Sequence, residues 1–341
     1  MIFVLLALMT FPVSALDLEA PKVPEGASAF MPSDPDNLAE AVLEMILDGI
    51  LYCRPDLKEA VRISVGVMAV VMLLSILGNI PGPCQRYGDL AAAGAISVLL
   101  MGSAGSMIHL GIGTVAEISN YGKLLLPVMA AALAAQGGVA GSAAIYTSGT
   151  LFSTVMSSLV SGVMAPLIYL YLAFGIGNAA LGTEILKRFQ DTIKSFMTWS
   201  LKTILYIFTA YISITGVISG TTDAAALKAT KVTISSVVPV VGGILSDASE
   251  SVLVSMGILK NAAGVYGILA VLAVAAGPFL SVGVRYLLLK LSAAICGLFG
   301  NKGISGMVGD FSTAMGLLLA MVASGCLMVL ISTVCYLKGL G

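Results

Sequence analysis

A chain of 341 residues that is 58% hydrophobic and 10% charged, with a mean hydropathy of +1.02, carries more apolar surface than one soluble core can bury. Lys plus Arg total 17 against 18 for Asp plus Glu, which leaves no basic field for capturing nucleic acid. The five cysteines, Cys53, Cys84, Cys296, Cys326 and Cys335, form no CxxC pair, so neither a disulfide framework nor a zinc site is indicated. The one histidine, His109, leaves no histidine cluster for a metal and restricts any Ser-His-Asp triad to itself. An all-α, polytopic membrane protein without metal or cofactor is expected.

Residues 1–15, MIFVLLALMTFPVSA, have the length and the small-residue ending of a signal peptide, with cleavage expected after Ala15. Residues 16–62 then read as an extracytoplasmic region: a four-proline linker to Asp36, followed from Asn37 by an amphipathic helix with Leu38, Val42, Met45, Ile46 and Ile50 at helical spacing. The remainder, 63–341, reads as a helical transmembrane domain. Six uncharged runs are long enough to cross a bilayer: 63–80, 90–116, 151–183, 203–219, 261–284 and 311–337. Two shorter runs, 124–138 and 232–246, carry Pro127 and Pro239 with nearby glycines, Gly242 and Gly243 among them, and read as broken or re-entrant segments.

LLLPVM around Pro127 aligns with SVVPVV around Pro239 at an offset of 112 residues, and MAPLIYL around Pro166 aligns with AGPFLSV around Pro278 at the same offset. Lys187 with Lys302 and Phe196 with Phe311 follow at 115, so 90–202 and 203–314 read as a possible parallel repeat. With six spans and an interfacial stretch at 286–300, eight basic residues fall inside (Arg86, Lys187, Arg188, Lys194, Lys202, Arg285, Lys290, Lys302) against five outside. The stretch 184–202 sets Ile185, Phe189, Ile193, Phe196, Met197 and Leu201 against Lys187, Arg188, Asp191 and Lys194, the pattern of a helix lying in the cytoplasmic interface with Trp199 at headgroup depth.

Candidate chemistry is sparse. His109, among Gly102, Gly105, Gly111 and Gly113, reads either as an interfacial hydrogen-bonding group or as a proton relay. Asp247 and Glu250 read either as the cap and first turn of the next helix or as carboxylates at a pore mouth. Pro127, Pro166, Pro239, Gly242, Gly243 and Pro278 complete the candidate structural or pore residues. No Walker A sequence, GxSxG elbow, HExxH or dinucleotide fingerprint occurs, so no catalytic residue is assigned and no enzyme is expected.

The segment KATKVTISSVVPVVGGILSDASESVLVS at 228–255, KNAAGVYG at 260–267, NKGISGMVGDFSTAMG at 301–316 and PLIYLYLAFGI at 166–176 resemble the stage III sporulation protein AE family. The resemblance implies a multi-pass protein of endospore-forming bacteria in the mother-cell membrane surrounding the forespore. It implies a secretion-like channel assembly as its setting, with partners among the other stage III sporulation A proteins: the ATPase AA, the small membrane proteins AB, AC, AD and AF, the ring-forming AG and AH, and forespore protein Q. The residues alone leave two further readings, a secondary transporter or permease built on the paired broken segments and an intramembrane enzyme. Against the second stand the missing paired aspartates and the lack of a Ser-His dyad beyond His109.

Overall fold

A computed structural model of the chain describes residues 21–28, 30–31, 38–77, 84–135, 139–214, 262–298 and 302–339. Among these residues the elements are helices, as the all-α expectation required: a single turn α1 (Glu25–Ser28), α2 (Leu38–Tyr52), α3 (Arg54–Leu77), α4 (Cys84–Ala135), α5 (Val139–Leu159), a π segment (Val160–Met164), α6 (Ala165–Leu181), α7 (Glu184–Ile214), α8 (Ala262–Leu298) and α9 (Lys302–Gly339). A chain solvated by lipid must satisfy its backbone groups internally, and the helix does so within one segment.

The legs run up and down. Gly66 of α3 faces Leu99 of α4, Ser119 of α4 donates to the Ser153 carbonyl of α5 at 3.1 Å, and Gly177 of α6 faces Leu186 of α7, so each successive pair is antiparallel. Ser305 of α9 donates to the Ala293 carbonyl of α8 at 2.8 Å, which sets the last hairpin. The turns between α3 and α4, α6 and α7, and α8 and α9 therefore share one end of the bundle. Gly182 forms the middle turn with a left-handed φ of 65°, donating its N–H to the Asn178 carbonyl at 2.8 Å. Arg86, Lys187, Arg188 and Lys302 all lie by these turns, which gathers basic residues at one end of the bundle.

The core is organised around α9, which packs against α4, α5, α6, α7 and α8, with Leu318, Val322 and Val329 among its fully buried residues. The α2–α3 leg, nearly continuous through the Cys53 N–H to Gly49 carbonyl bond, packs along α8, with Met45, Ala60, Val67 and Val71 turned inward. Among the described residues four stretches are long and apolar enough to cross a membrane: Leu90–Ala131, Ser142–Leu181, Tyr266–Leu298 and Lys302–Tyr336. The other two expected runs form the C-terminal halves of α3 and α7, whose N-terminal halves carry the charges.

Three expectations change. The run at 124–138 is no re-entrant segment as far as Ala135, because α4 continues through Pro127 as one helix of 52 residues; proline forfeits one backbone hydrogen bond, which a helix supported by neighbours can absorb. The run at 232–246 lies outside the described residues. The stretch expected at the interface, 286–300, is to Leu298 the direct continuation of α8 past Pro278. Finally, 184–202 keeps one apolar face opposite Lys187, Arg188, Asp191 and Lys194 but is no separate helix: it runs on to Ile214 as α7, packed on α6, with Met197 and Leu201 buried and Ile185, Phe189, Phe196 and Trp199 exposed. A helix presenting apolar groups to both the bundle and its surroundings is built for a second apolar medium.

Candidate functional site

Two buried charged centres flank α9 at one height. Arg285 projects from α8 into the angle between α3 and α4, where its Nη2 donates to Glu59 Oε2 at 2.8 Å and its Nη1 to Ser103 Oγ. It is 4% exposed. Beside it lies a cavity with room for about one water molecule, lined by Ser64, Ser103, Leu288, Phe311 and Met315 among others. Arg285 Nε and Ser64 Oγ have no hydrogen-bond partner among the described residues, and both belong to residues lining this cavity. The same leg carries a second clasp: Ser281 donates to Asp56 and lies 3.6 Å from Cys53 Sγ. Burial pushes the Cys53 thiol up, the Ser281 contact draws it partly back, and the Asp56 charge raises it again.

On the other flank of α9, Asp310 accepts from the Tyr171 hydroxyl of α6 at 3.3 Å and lies 3.7 Å from Lys187 Nζ of α7. Gln190, fully buried, places its amide here with neither polar atom partnered among the described residues. Gly175 makes the approach possible, since a Cβ there would fall 2.7 Å from Gln190 Nε2 and 3.0 Å from Asp310 Oδ2. Ser312 donates to the Tyr286 carbonyl at 3.2 Å, and Phe311 lines the Arg285 cavity, so the cationic and anionic centres sit at neighbouring levels of the α8–α9 hairpin. Ionisable groups this deep are costly unless paired, and each centre ties three legs together. Among the described residues no cluster of three or more His, Cys, Asp or Glu could hold a metal.

The residues singled out from sequence are dispersed. His109 and Pro127 are both exposed on α4, Pro166 is exposed in the first turn of α6 after the π segment, and Pro278 is half-buried within α8. Pro239, Gly242, Gly243, Asp247 and Glu250 lie outside the described residues. Arg285, counted above as a cytoplasmic charge, instead shares a depth with Glu59, which the linker reading places outside the cytoplasm; it is an intrabundle cation and belongs in neither loop count. The missed residues had a signal. Arg285 is the first charge after Lys260, and Asp310 is the sole charge between Lys302 and Lys338, each an ionisable group in an apolar run.

A bundle of apolar helices stitched by isolated buried charges defines a helical membrane protein. More particularly, the chain belongs to the family described as stage III sporulation protein AE, which matches residues 39–338. It is 23% identical over 235 residues to "Stage III sporulation protein AE" of Bacillus subtilis (strain 168), an alignment covering 69% of this chain and 59% of that relative. No solved structure matches the chain.

Proposed function

We propose that this chain is a membrane subunit of a sporulation-specific, secretion-like channel complex between mother cell and forespore, seated in the mother-cell membrane around the forespore. The observation that carries the reading is family membership across 39–338, on a chain whose described residues include four helices long and apolar enough to cross a membrane. In this reading residues 1–15 direct export, 16–62 begin outside the cytoplasm, and the positively charged turns face the mother-cell cytoplasm. Its partners are the other stage III sporulation A proteins, with AA as the ATPase and protein Q on the forespore side.

Affinity purification of the tagged chain from sporulating cells should recover other stage III A proteins and be lost when their operon is deleted. Recovery of the chain alone, with saturable uptake of a solute by vesicles containing it, would establish instead the permease reading. That alternative needed paired broken helices, and the unbroken course of α4 through Pro127 removes the first of the pair.

A further inference from the structure

The exposed face of α4 changes character along its length. Towards the turn it presents Ala91, Ala95 and Val98; further on it presents Ser106, His109, Glu117, Asn120 and Lys123, spaced so that all point the same way. A bundle of this height could simply lift the second set above the lipid, since α8 alone, at 37 residues, is about 55 Å long against a hydrocarbon core of about 30 Å. The opposite flank argues otherwise. Ser119 touches Ser153 of α5, and Phe152 stacks edge-on with Phe208 of α7 at 5.4 Å, so α5 stands against α4, and α7 against α5, at this same height. There they expose Leu151, Val155, Ile207 and Tyr211, and the outward hydroxyl of Thr154 bonds back to the Thr150 carbonyl of its own helix at 2.7 Å. One side of the bundle is dressed for lipid at a depth where the other displays a carboxylate, an ammonium, an amide and an imidazole. An ionised side chain facing hydrocarbon costs about 2.5–3.5 kcal/mol on the most lenient scale.

We propose that the face of α4 from Ser106 to Lys123 borders water at membrane depth, as one wall of a passage closed by further copies of this chain. The stripe faces outwards, and among the described residues nothing approaches within 4 Å of where a Cβ would stand at Gly102 or Gly113 along it, so further copies facing inward are what closes the passage. Hydrophilic solutes are the class such a wall suits. The proposal rests on the channel reading above and specifies which surface conducts.

The test uses the full chain, with its five cysteines replaced by alanine, reconstituted alone into phosphatidylcholine–phosphatidylglycerol vesicles. Single cysteines at His109, Glu117 and Asn120 should react with a trimethylammonium methanethiosulfonate at least ten times faster than cysteines at Leu151, Val155 and Ile207. Equal rates on both flanks would mean that this height stands above the membrane, and silence at the α4 positions would mean that lipid or protein covers them; either overturns the proposal. His109, the only histidine, allows the unaltered chain to be read as well: diethylpyrocarbonate should modify it in the vesicles, and protection counts against the wall. Cross-linking in the same vesicles should yield species of three or more copies, and monomers alone would overturn the enclosure. Failure to co-purify other stage III A proteins would leave the flank asymmetry intact, so the two readings fail separately.

Discussion

The ion pair at Arg285 is lopsided, and the lopsidedness sets the cost of breaking it. Glu59 is 57% exposed whereas Arg285 is 4% exposed. Removing the carboxylate strands a buried guanidinium, while removing the guanidinium frees a carboxylate that already meets water. Glu59→Gln should therefore lower stability by about 1–3 kcal/mol, the low end for buried charges because water screens half of the pair. Arg285→Met should cost less, and the double variant should melt above Glu59→Gln alone, all read by thermal unfolding in detergent. At the second centre, Gly175→Val pushes a side chain into Gln190 and Asp310, and a loss of about 1–3 kcal/mol by the same assay is expected. Cys53 supplies a pH dependence. Its raised thiol pKa means that the folded chain keeps a proton the unfolded chain has shed, so its contribution is complete below about pH 8.5 and is lost as pH climbs towards the raised value. Cys53→Ser should flatten the alkaline fall in melting temperature.

At the scale of the helix, the π segment at Val160–Met164 inserts extra backbone between α5 and α6, and the two parts have different tasks. α5 packs on α4 and on the far half of α9, whereas α6 must deliver Tyr171 to Asp310 and Gly175 to Gln190. Deleting Gly162, exposed within the segment, would restore α-helical pitch and turn α6 by about 100° relative to α5. Separation of Tyr171 from Asp310 and failure to recover the wild-type elution profile are the expected results; a profile unchanged by the deletion would make the segment dispensable. Helices were legible because unbroken apolar runs leave few alternatives in lipid, and the basic residues around Lys187 and Lys302, between such runs, marked where legs reverse. Proline was over-read at Pro127, which marked a broken segment yet lies inside a long helix whose neighbours hold it, whereas Pro278, read within a crossing run, does lie inside one helix. The buried charges were under-read. The apolar run before Arg285 marks an unusual cation, but not its partner Glu59 more than two hundred residues earlier, because that pairing resides in how the legs pack.

Across the whole molecule the lateral surface is uneven. The crossing stretch of α9 is 78% buried, but that of α4 only 39%. A polar residue at Val322, fully enclosed, should abolish recovery of folded protein, whereas the same change at Val98, 78% exposed, should be tolerated if water or headgroups can reach it and should reduce membrane insertion otherwise. Fluorescence-detected size exclusion of Val322→Asn and Val98→Asn decides both. The enclosure of α9 also bears on the order of synthesis. The ribosome delivers the helix that α4 to α8 surround after all five of them, so they must enter the bilayer while the space they share is still empty. Until Lys302–Gly339 arrives, Asp310 is missing from Tyr171 and Lys187, and the inner faces of five helices have only lipid or one another to touch. α9 thus acts as a keystone: a chain stopped within it would lose far more than the residues not made, and would present the cell's membrane quality control with the inner surfaces of a bundle that never closed.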